Sequence, residues 1–300
     1  MSADSSKSLF ASGHTACAGC GQAIAARLVI DAAGANTIVA NGTGCLEVFS
    51  TKYPESAWCV PWIHSLFENA AAVASGIEAA LKYLGKKDGI NIIAQAGDGG
   101  TADIGMQALS GMWERAHDIL SICFDNEAYE NTGVQRSGLT PYDASTTTSP
   151  SGAHSFGNPR PKKPMPEIAN AHGIVYVATA SVGFPQDLQR KVKKALGLKG
   201  PKYLHIHVPC PLGWGYSPGL TYQIGKLAVE TGLYPLIEYE NGLLIGVRKI
   251  TPKPVEEYLK AQRRFRHIIN NPEELTKIQE IANNNIKRYN LSENITYGTK

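Results

Sequence analysis

The sequence predicts an α/β fold, a doubly wound parallel sheet with a C-terminal extension, and three observations predict it. Short apolar runs recur through the first two thirds of the chain, each brief and β-branched enough to be covered on both faces. Segments of helical length, several Ala-rich, alternate with those runs, as in sheets wound with crossover helices. Polar or thiol-bearing turns follow one run after another, where ligands gather at the carboxyl ends of such strands.

Each element has its own warrant. Thr37 to Ala40 (TIVA), Ile90 to Ala94 (INIIA), Ile119 to Phe124 (ILSICF), Ile174 to Ala178 (IVYVA) and Tyr203 to Val208 (YLHIHV) read as buried strands. Helices are expected over Ala23 to Ala33, Leu66 to Leu84, Thr101 to Ala116, Pro166 to His172 and Pro185 to Leu198. Ser145 to Pro164, rich in Ser, Thr, Gly and Pro, reads as a long loop of the kind that carries function in compact domains. Beyond about Gly219 the pattern changes to a helix, a weak hairpin around Glu240-Asn241-Gly242 and two charged helices parted near Asn270-Asn271-Pro272. This divides the chain into an α/β unit at 1–218 and an extension at 219–300 that wraps the unit or a partner.

Composition excludes several classes. Hydrophobic residues at 43% and charged residues at 18% describe a folded core. A net charge of +3 is too small for a nucleic-acid face. The densest cationic run, Arg263, Arg264 and Arg266, alternates with Phe265 and Ile268 and reads as the solvated side of an amphipathic helix, with docking of an acidic protein as the minor alternative. No apolar run approaches the roughly 20 residues of a membrane span. Met1 to Leu9 lacks the order of a signal peptide, so a cytoplasmic protein with no membrane partner is expected.

The turns carry the chemistry. Asp98, flanked by Gly97, Gly99 and Gly100, ends a strand, so its carboxylate can leave the sheet while backbone approaches a ligand. A helix expected from Thr101 would offer unpaired N–H groups to phosphate oxygens. The next strand delivers Asp125 and Asn126 to the same edge, and one carboxylate, one amide and the carbonyl just after Asn126 would leave positions on magnesium for a diphosphate and water. GDG followed by Asn at the end of the next strand is the motif of enzymes that use thiamine diphosphate.

Six cysteines are too few for a disulfide scaffold, and a CxxC in a reducing compartment points to metal or redox chemistry. Cys17 and Cys20 form that pair, Cys45 follows the first strand, and Cys210 lies between prolines after the last. All four fall at one edge. Zinc and an iron-sulfur cluster both suit four thiolates, and spacing does not separate them. A redox-silent zinc would do nothing for a carbanion-generating cofactor, whereas a cluster could accept its electrons. Cys59 and Cys123 read as packed core residues.

Taken together, GHTACAGCG (13–21), GTGCLEVFS (42–50), PWIHSLFENAAAVASGIEAAL (61–81), GDGGTADIGMQALSGMWERAHDIL (97–120) and NTGVQRSG (131–138) closely resemble the β subunit of pyruvate:ferredoxin oxidoreductase (pyruvate synthase), of the 2-oxo acid:ferredoxin oxidoreductase family. The resemblance spans residues 13 to 268. It implies a diphosphate-binding module for thiamine diphosphate, and oxidative decarboxylation of a 2-oxo acid with transfer of the acyl unit to coenzyme A and of electrons to ferredoxin. By position it assigns Cys17, Cys20, Cys45 and Cys210 to a proximal [4Fe-4S] cluster, and Asp98, Asn126 and the Ala128 carbonyl to magnesium. Gln22, Thr43, Gly44, Glu127 and Asn131 would line the cofactor, Asn131 nearest the reacting carbon, where its amide could stabilise an oxyanion or hold a substrate carboxylate.

Where family members read AYMNTG and YGAWTTTSP, this chain has Glu130, Asp143 and Ser145. These differences leave oxalate or another small 2-oxo acid beside pyruvate. The resemblance also places the acid that faces the aminopyrimidine ring on a partner chain, none of Glu47, Glu68 and Glu127 having a better warrant than structural pairing. Expected partners are a subunit carrying the pyrimidine module and that acid, a ferredoxin-like cluster subunit, and external ferredoxin. His14, His64, His117 and His172 offer no rival site. The contrasting reading is a non-catalytic zinc or electron-transfer module whose GDG turn binds a nucleotide.

Overall fold

The computed structural model describes residues 8–52 and 54–292. Residues 1–7, which carry most of the expectation about the N-terminus, and 293–300, at the end of the extension, lie outside them. Among the described residues the strands are β1 (Thr37–Asn41), β2 (Trp62–His64), β3 (Asn91–Gly97), β4 (Leu120–Asp125), β5 (Ser151–Gly152), β6 (Ser155–Phe156), β7 (Tyr176–Ser181), β8 (Lys202–His207), β9 (Ile237–Glu240) and β10 (Leu243–Val247). The helices are α1 (Gly21–Ala33), α2 (Cys45–Ser50), α3 (Ala70–Tyr83), α4 (Asp98–Ala102), α5 (Met106–Glu114), α6 (Met165–Ala171), α7 (Pro185–Gly197), α8 (Pro211–Trp214), α9 (Thr221–Glu230), α10 (Val255–Lys260) and α11 (Pro272–Arg288).

One eight-stranded sheet runs β10-β9-β7-β8-β4-β3-β1-β2. Six strands, β2 to β7 in that order, pair in parallel, and the five expected apolar runs are five of them. Burial on both faces explains why these runs are apolar without alternation: every residue of β4, β7 and β8 is buried. On one face α1 packs on α7, over a core with Val29, Ile30, Val192 and Leu204. On the other, α3 and α5 cover Ala74, Met112, Trp113 and Tyr203.

The structure differs from expectation at several elements. The helix expected from Thr101 to Ala116 is two helices, and the first begins at Asp98 itself; Gly105 lies at the break, where a Cβ would fall 2.0 Å from the Gly100 carbonyl oxygen. The helix expected from Leu66 begins at Ala70, because Asn69 Oδ1 accepts the Leu66 N–H and holds a turn there. The hairpin at Glu240 forms, with Asn241 and Gly242 at φ +51° and +83°, the left-handed pair a tight hairpin needs. It joins the main sheet, β9 pairing antiparallel with β7. Cys123 is fully buried as expected, but Cys59 is exposed: Trp58 and Val60 point inward, and alternation turns the residue between them out.

The run Arg263–Phe265 is a single 3-10 turn and not an amphipathic helix, and Arg264 is only 6% exposed. Around it lies a third core, in which Trp214, Tyr258, Phe265 and Ile278 bind the extension to the end of the sheet.

Candidate active site

The carboxyl ends of β1, β3, β4 and β8, four neighbours in the sheet, bring the candidate residues together. Asp98 follows β3 and is 2% exposed; its Oδ2 accepts the Ser137 hydroxyl at 2.5 Å. Burial, then the charge of Asp125, pushes its carboxyl well above the usual range. Gly99 is required by packing, since a Cβ there would sit 2.1 Å from the Tyr129 ring, and a Cβ on Gly100 would crowd Ala96 and the Phe67 carbonyl at 3.2 Å.

Asn126 follows β4. Its side-chain amide lies 2.9 Å from the Ala128 carbonyl and 3.1 Å from Asp98 Oδ1, and with its nitrogen turned toward them it donates to both. A carboxylate, a side-chain amide and a backbone carbonyl within this reach of one another are the oxygen donor types that magnesium takes. The residues present therefore fit magnesium.

Beside them is a buried ion cluster that sequence reading missed. Asp125 is fully buried, with Lys162 Nζ at 2.7 Å and His205 Nε2 at 2.9 Å. Glu127 adopts φ +66° and donates its N–H to Asp125 Oδ1 at 3.0 Å; its carboxylate takes Lys162 at 2.7 Å and Arg264 at 2.5 Å. Burial opposes ionisation of both carboxylates, but Lys162 and the neighbouring cations hold them below the ordinary range. Glu127 is thus a locked carboxylate beside the carboxyl-end edge of the sheet. Arg264 also lies 3.7 Å over the Trp214 ring, and that indole donates to the Asn126 carbonyl at 2.9 Å.

The thiols gather next door. Gly21 N donates to Pro209 O at 3.2 Å, seating the CxxC loop against the Cys210 segment, and a Cβ on Gly21 would fall 2.6 Å from that same oxygen. Cys17 is exposed, while Cys20, Cys45 and Cys210 are half-buried. Burial first, then neighbouring thiols and Glu130, raises the Cys45 thiol to about 12 and shifts Cys20 and Cys210 the same way. Thiolates in such a place need a strongly cationic ligand. Among the described residues no three His, Cys, Asp or Glu side chains close around a single ion.

The remaining candidates are dispersed around this edge. Gln22 is 3% exposed in the first turn of α1, with its buried Oε1 unpaired. Thr43 hydrogen-bonds His64 at 2.7 Å; Gly44 precedes α2, which begins at Cys45 and was not expected. Asn131 lies exposed on a turn. Glu130 reaches under α8, where a Cβ on Gly213 would meet its Oε2; burial raises its carboxyl to about 7, against Arg264 and Cys210. Its Oε1 has no partner.

Residues 42–206 match the family model of the thiamine pyrophosphate enzyme, C-terminal TPP binding domain. Pyruvate synthase subunit PorB of Methanosarcina barkeri is 59% identical over 97% of this chain and 100% of its own length. The chain belongs to this family. PorB of Methanocaldococcus jannaschii is 57% identical over 94% of the chain and 96% of its own, and ketoisovalerate oxidoreductase subunit VorB of Pyrococcus abyssi is 49% identical over 86% of each. The solved structure of 2-oxoglutarate:ferredoxin oxidoreductase from Magnetococcus marinus, with 2-oxoglutarate, coenzyme A and succinyl-CoA bound, aligns with TM-score 0.55 at 24% identity over 66% of this chain and 64% of that one, which supports the fold. Among the described residues no helix is long and apolar enough to cross a membrane.

Proposed function

We propose that this chain is the β subunit of a ferredoxin-linked pyruvate synthase, holding thiamine diphosphate through magnesium on Asp98, Asn126 and the Ala128 carbonyl, and a [4Fe-4S] cluster on Cys17, Cys20, Cys45 and Cys210. The observation that carries it is the convergence of the Asn126 amide, the Ala128 carbonyl and Asp98 Oδ1 at the ends of adjacent parallel strands. When bound, the thiazolium would supply the carbanion chemistry and the cluster a one-electron acceptor. The protein's share is positioning. Gly99 and Gly100 let Tyr129, Ala96 and Phe67 pack against the turn that carries Asp98, Ser137 orients Asp98, and the Lys162–Glu127–Arg264 ion cluster fixes the loop that carries the amide and carbonyl ligands. Pyruvate and coenzyme A would give acetyl-CoA, carbon dioxide, one proton and two electrons, or the reverse. The cytoplasm is the compartment this chemistry suits.

The aminopyrimidine acid belongs on a partner subunit in this reading, since Glu127 is occupied by two cations. A ferredoxin-like cluster subunit and external ferredoxin complete the electron path. The test is anaerobic EPR of the purified complex with and without pyruvate, together with iron, sulfide and zinc analysis. A cluster signal and a substrate-dependent radical are expected; a colourless, zinc-loaded preparation sinks the cluster assignment. A VorB relative at 49% identity and the half-buried Glu130 favour testing 2-ketoisovalerate and oxalate beside pyruvate, with pyruvate expected to give the highest kcat/KM.

A further inference from the structure

Behind the ion cluster, between the sheet and the C-terminal extension, lies a cavity of about 310 Å³. Glu127, Lys162, His205 and His207 form one part of its lining. Much of the rest is apolar, from Leu139, Leu233, Ile237, Leu259, Phe265 and Ile278. Ile281 and Arg288, also on the lining, are exposed, so the cavity reaches the surface. An apolar cavity of roughly 150 Å³ is enough to hold benzene. This one has room for a molecule of that size.

Two features define the occupant. Every charged side chain on the lining already faces an opposite charge: Glu127 faces Lys162 and Arg264, Lys163 faces Asp103 at 3.2 Å, and Glu167 faces Arg288 at 3.5 Å. An ionic ligand would give up its hydration and meet no free counter-charge. Among the described lining residues one buried polar side-chain atom has no partner, Nδ1 of His207. The ring is fully buried, and its Nε2 faces Tyr258 Oη at 3.4 Å and Glu127 Oε1 at 3.7 Å. Burial lowers its pKa and so favours the neutral ring, which carries a single N–H. Nδ1 is then a donor or an acceptor according to tautomer, and a hydroxyl, which both gives and accepts, satisfies it in either.

We propose that this cavity binds a small, uncharged, largely apolar molecule bearing one hydroxyl group, an alcohol or phenol by class, with the hydroxyl on His207 and the apolar body against Leu259, Phe265 and Ile278. Glu127 and Lys162 also belong to the ion cluster that fixes the loop carrying Asn126 and Ala128, so the occupant is coupled to that loop. The coupling rests on the cofactor reading above; the binding does not.

The test titrates the whole purified complex with para-fluorophenol and with fluorobenzene, the same body without the hydroxyl, followed by fluorine NMR. The phenol is expected to bind once per copy of this chain, about fivefold or more tightly than fluorobenzene. Ala228→Leu and Leu233→Trp, which fill the cavity from α9 and from the turn after it, should each weaken binding about tenfold, and His207→Phe should bring the two probes to equal affinity. Where one filling variant fails to fold, the other carries that arm. Binding of neither probe means a cavity that takes water only, and overturns the site. Equal affinity of the parent for both probes overturns recognition of the hydroxyl, and unchanged binding in the folded filling variants puts the probe elsewhere and overturns the site. With metal and thiamine diphosphate stripped and then returned, saturating para-fluorophenol should lower the thiamine diphosphate concentration for half-maximal pyruvate oxidation about fivefold. No change there overturns the coupling and leaves the site. Pyruvate oxidation that needs no thiamine diphosphate overturns the proposed function and the coupling with it, while the binding result stands by itself.

Discussion

Arg264 shows how much one side chain can hold. Its guanidinium pairs with Glu127, covers Trp214, and through that indole braces the carbonyl of Asn126. Replacing it with Met would strand part of a buried charge, a class of change that destabilises by about 3–5 kcal/mol. Urea unfolding should show that loss, and Glu127→Gln in the same chain should recover part of it, because the two changes share one interaction. Asp98 behaves in the opposite way. It is held near Asp125 against its own preference, so Asp98→Ala should raise or preserve the Tm of cofactor-free protein while abolishing the Tm increase that magnesium and thiamine diphosphate give the parent. A matching increase in the variant would refute the ligand assignment.

At the level of elements, α11 is fastened to the loop before the 145–164 segment by Tyr142, whose hydroxyl donates to Glu274 at 3.1 Å. Burial, then the Glu274 carboxylate, raises Asp143 to about 7. A folded-state value above the unfolded 3.8 means a contribution fully present below pH 3.8 and lost as pH rises through about 7. Amide exchange in the first turn of α11 should therefore accelerate, beyond its intrinsic pH dependence, as pH rises from about 4 to about 7 and level off above that, and Asp143→Asn should remove that extra step. Asp118 gives the reverse sign at the far end of the sheet. Despite burial, Lys202 and Lys87 lower it to about 2, so its contribution is lost as pH falls from 3.8 toward 2, and Asp118→Asn should flatten the acid limb of the stability curve there.

For the whole molecule, what the sequence revealed depended on how local the signal was. Parallel strands buried on both faces announce themselves as apolar runs, so the sheet and the edge that carries Asp98, Asn126 and the cysteines were legible. Glycine turns marked the close approaches at Gly99 and Gly100. The ion cluster behind them was not legible, because its members come from distant segments: Lys162 from a Pro-rich loop, Arg264 from a charge run that looks solvated. His205 and His207 did leave a trace, two histidines at alternate positions of an otherwise apolar strand and so on one face of the sheet, turned toward Asp125 and Glu127. Cys59 misled for the same reason in reverse, as its type suggested burial and its register exposed it.

Glu127 and Arg264 stand 137 positions apart. During synthesis the loop that presents Asn126 and Ala128 leaves the ribosome long before the arginine that braces it, so its geometry stays unfinished until most of the chain exists. A shortened product ending before Arg264 would therefore have the loop that follows β4 but not the guanidinium that pairs with Glu127.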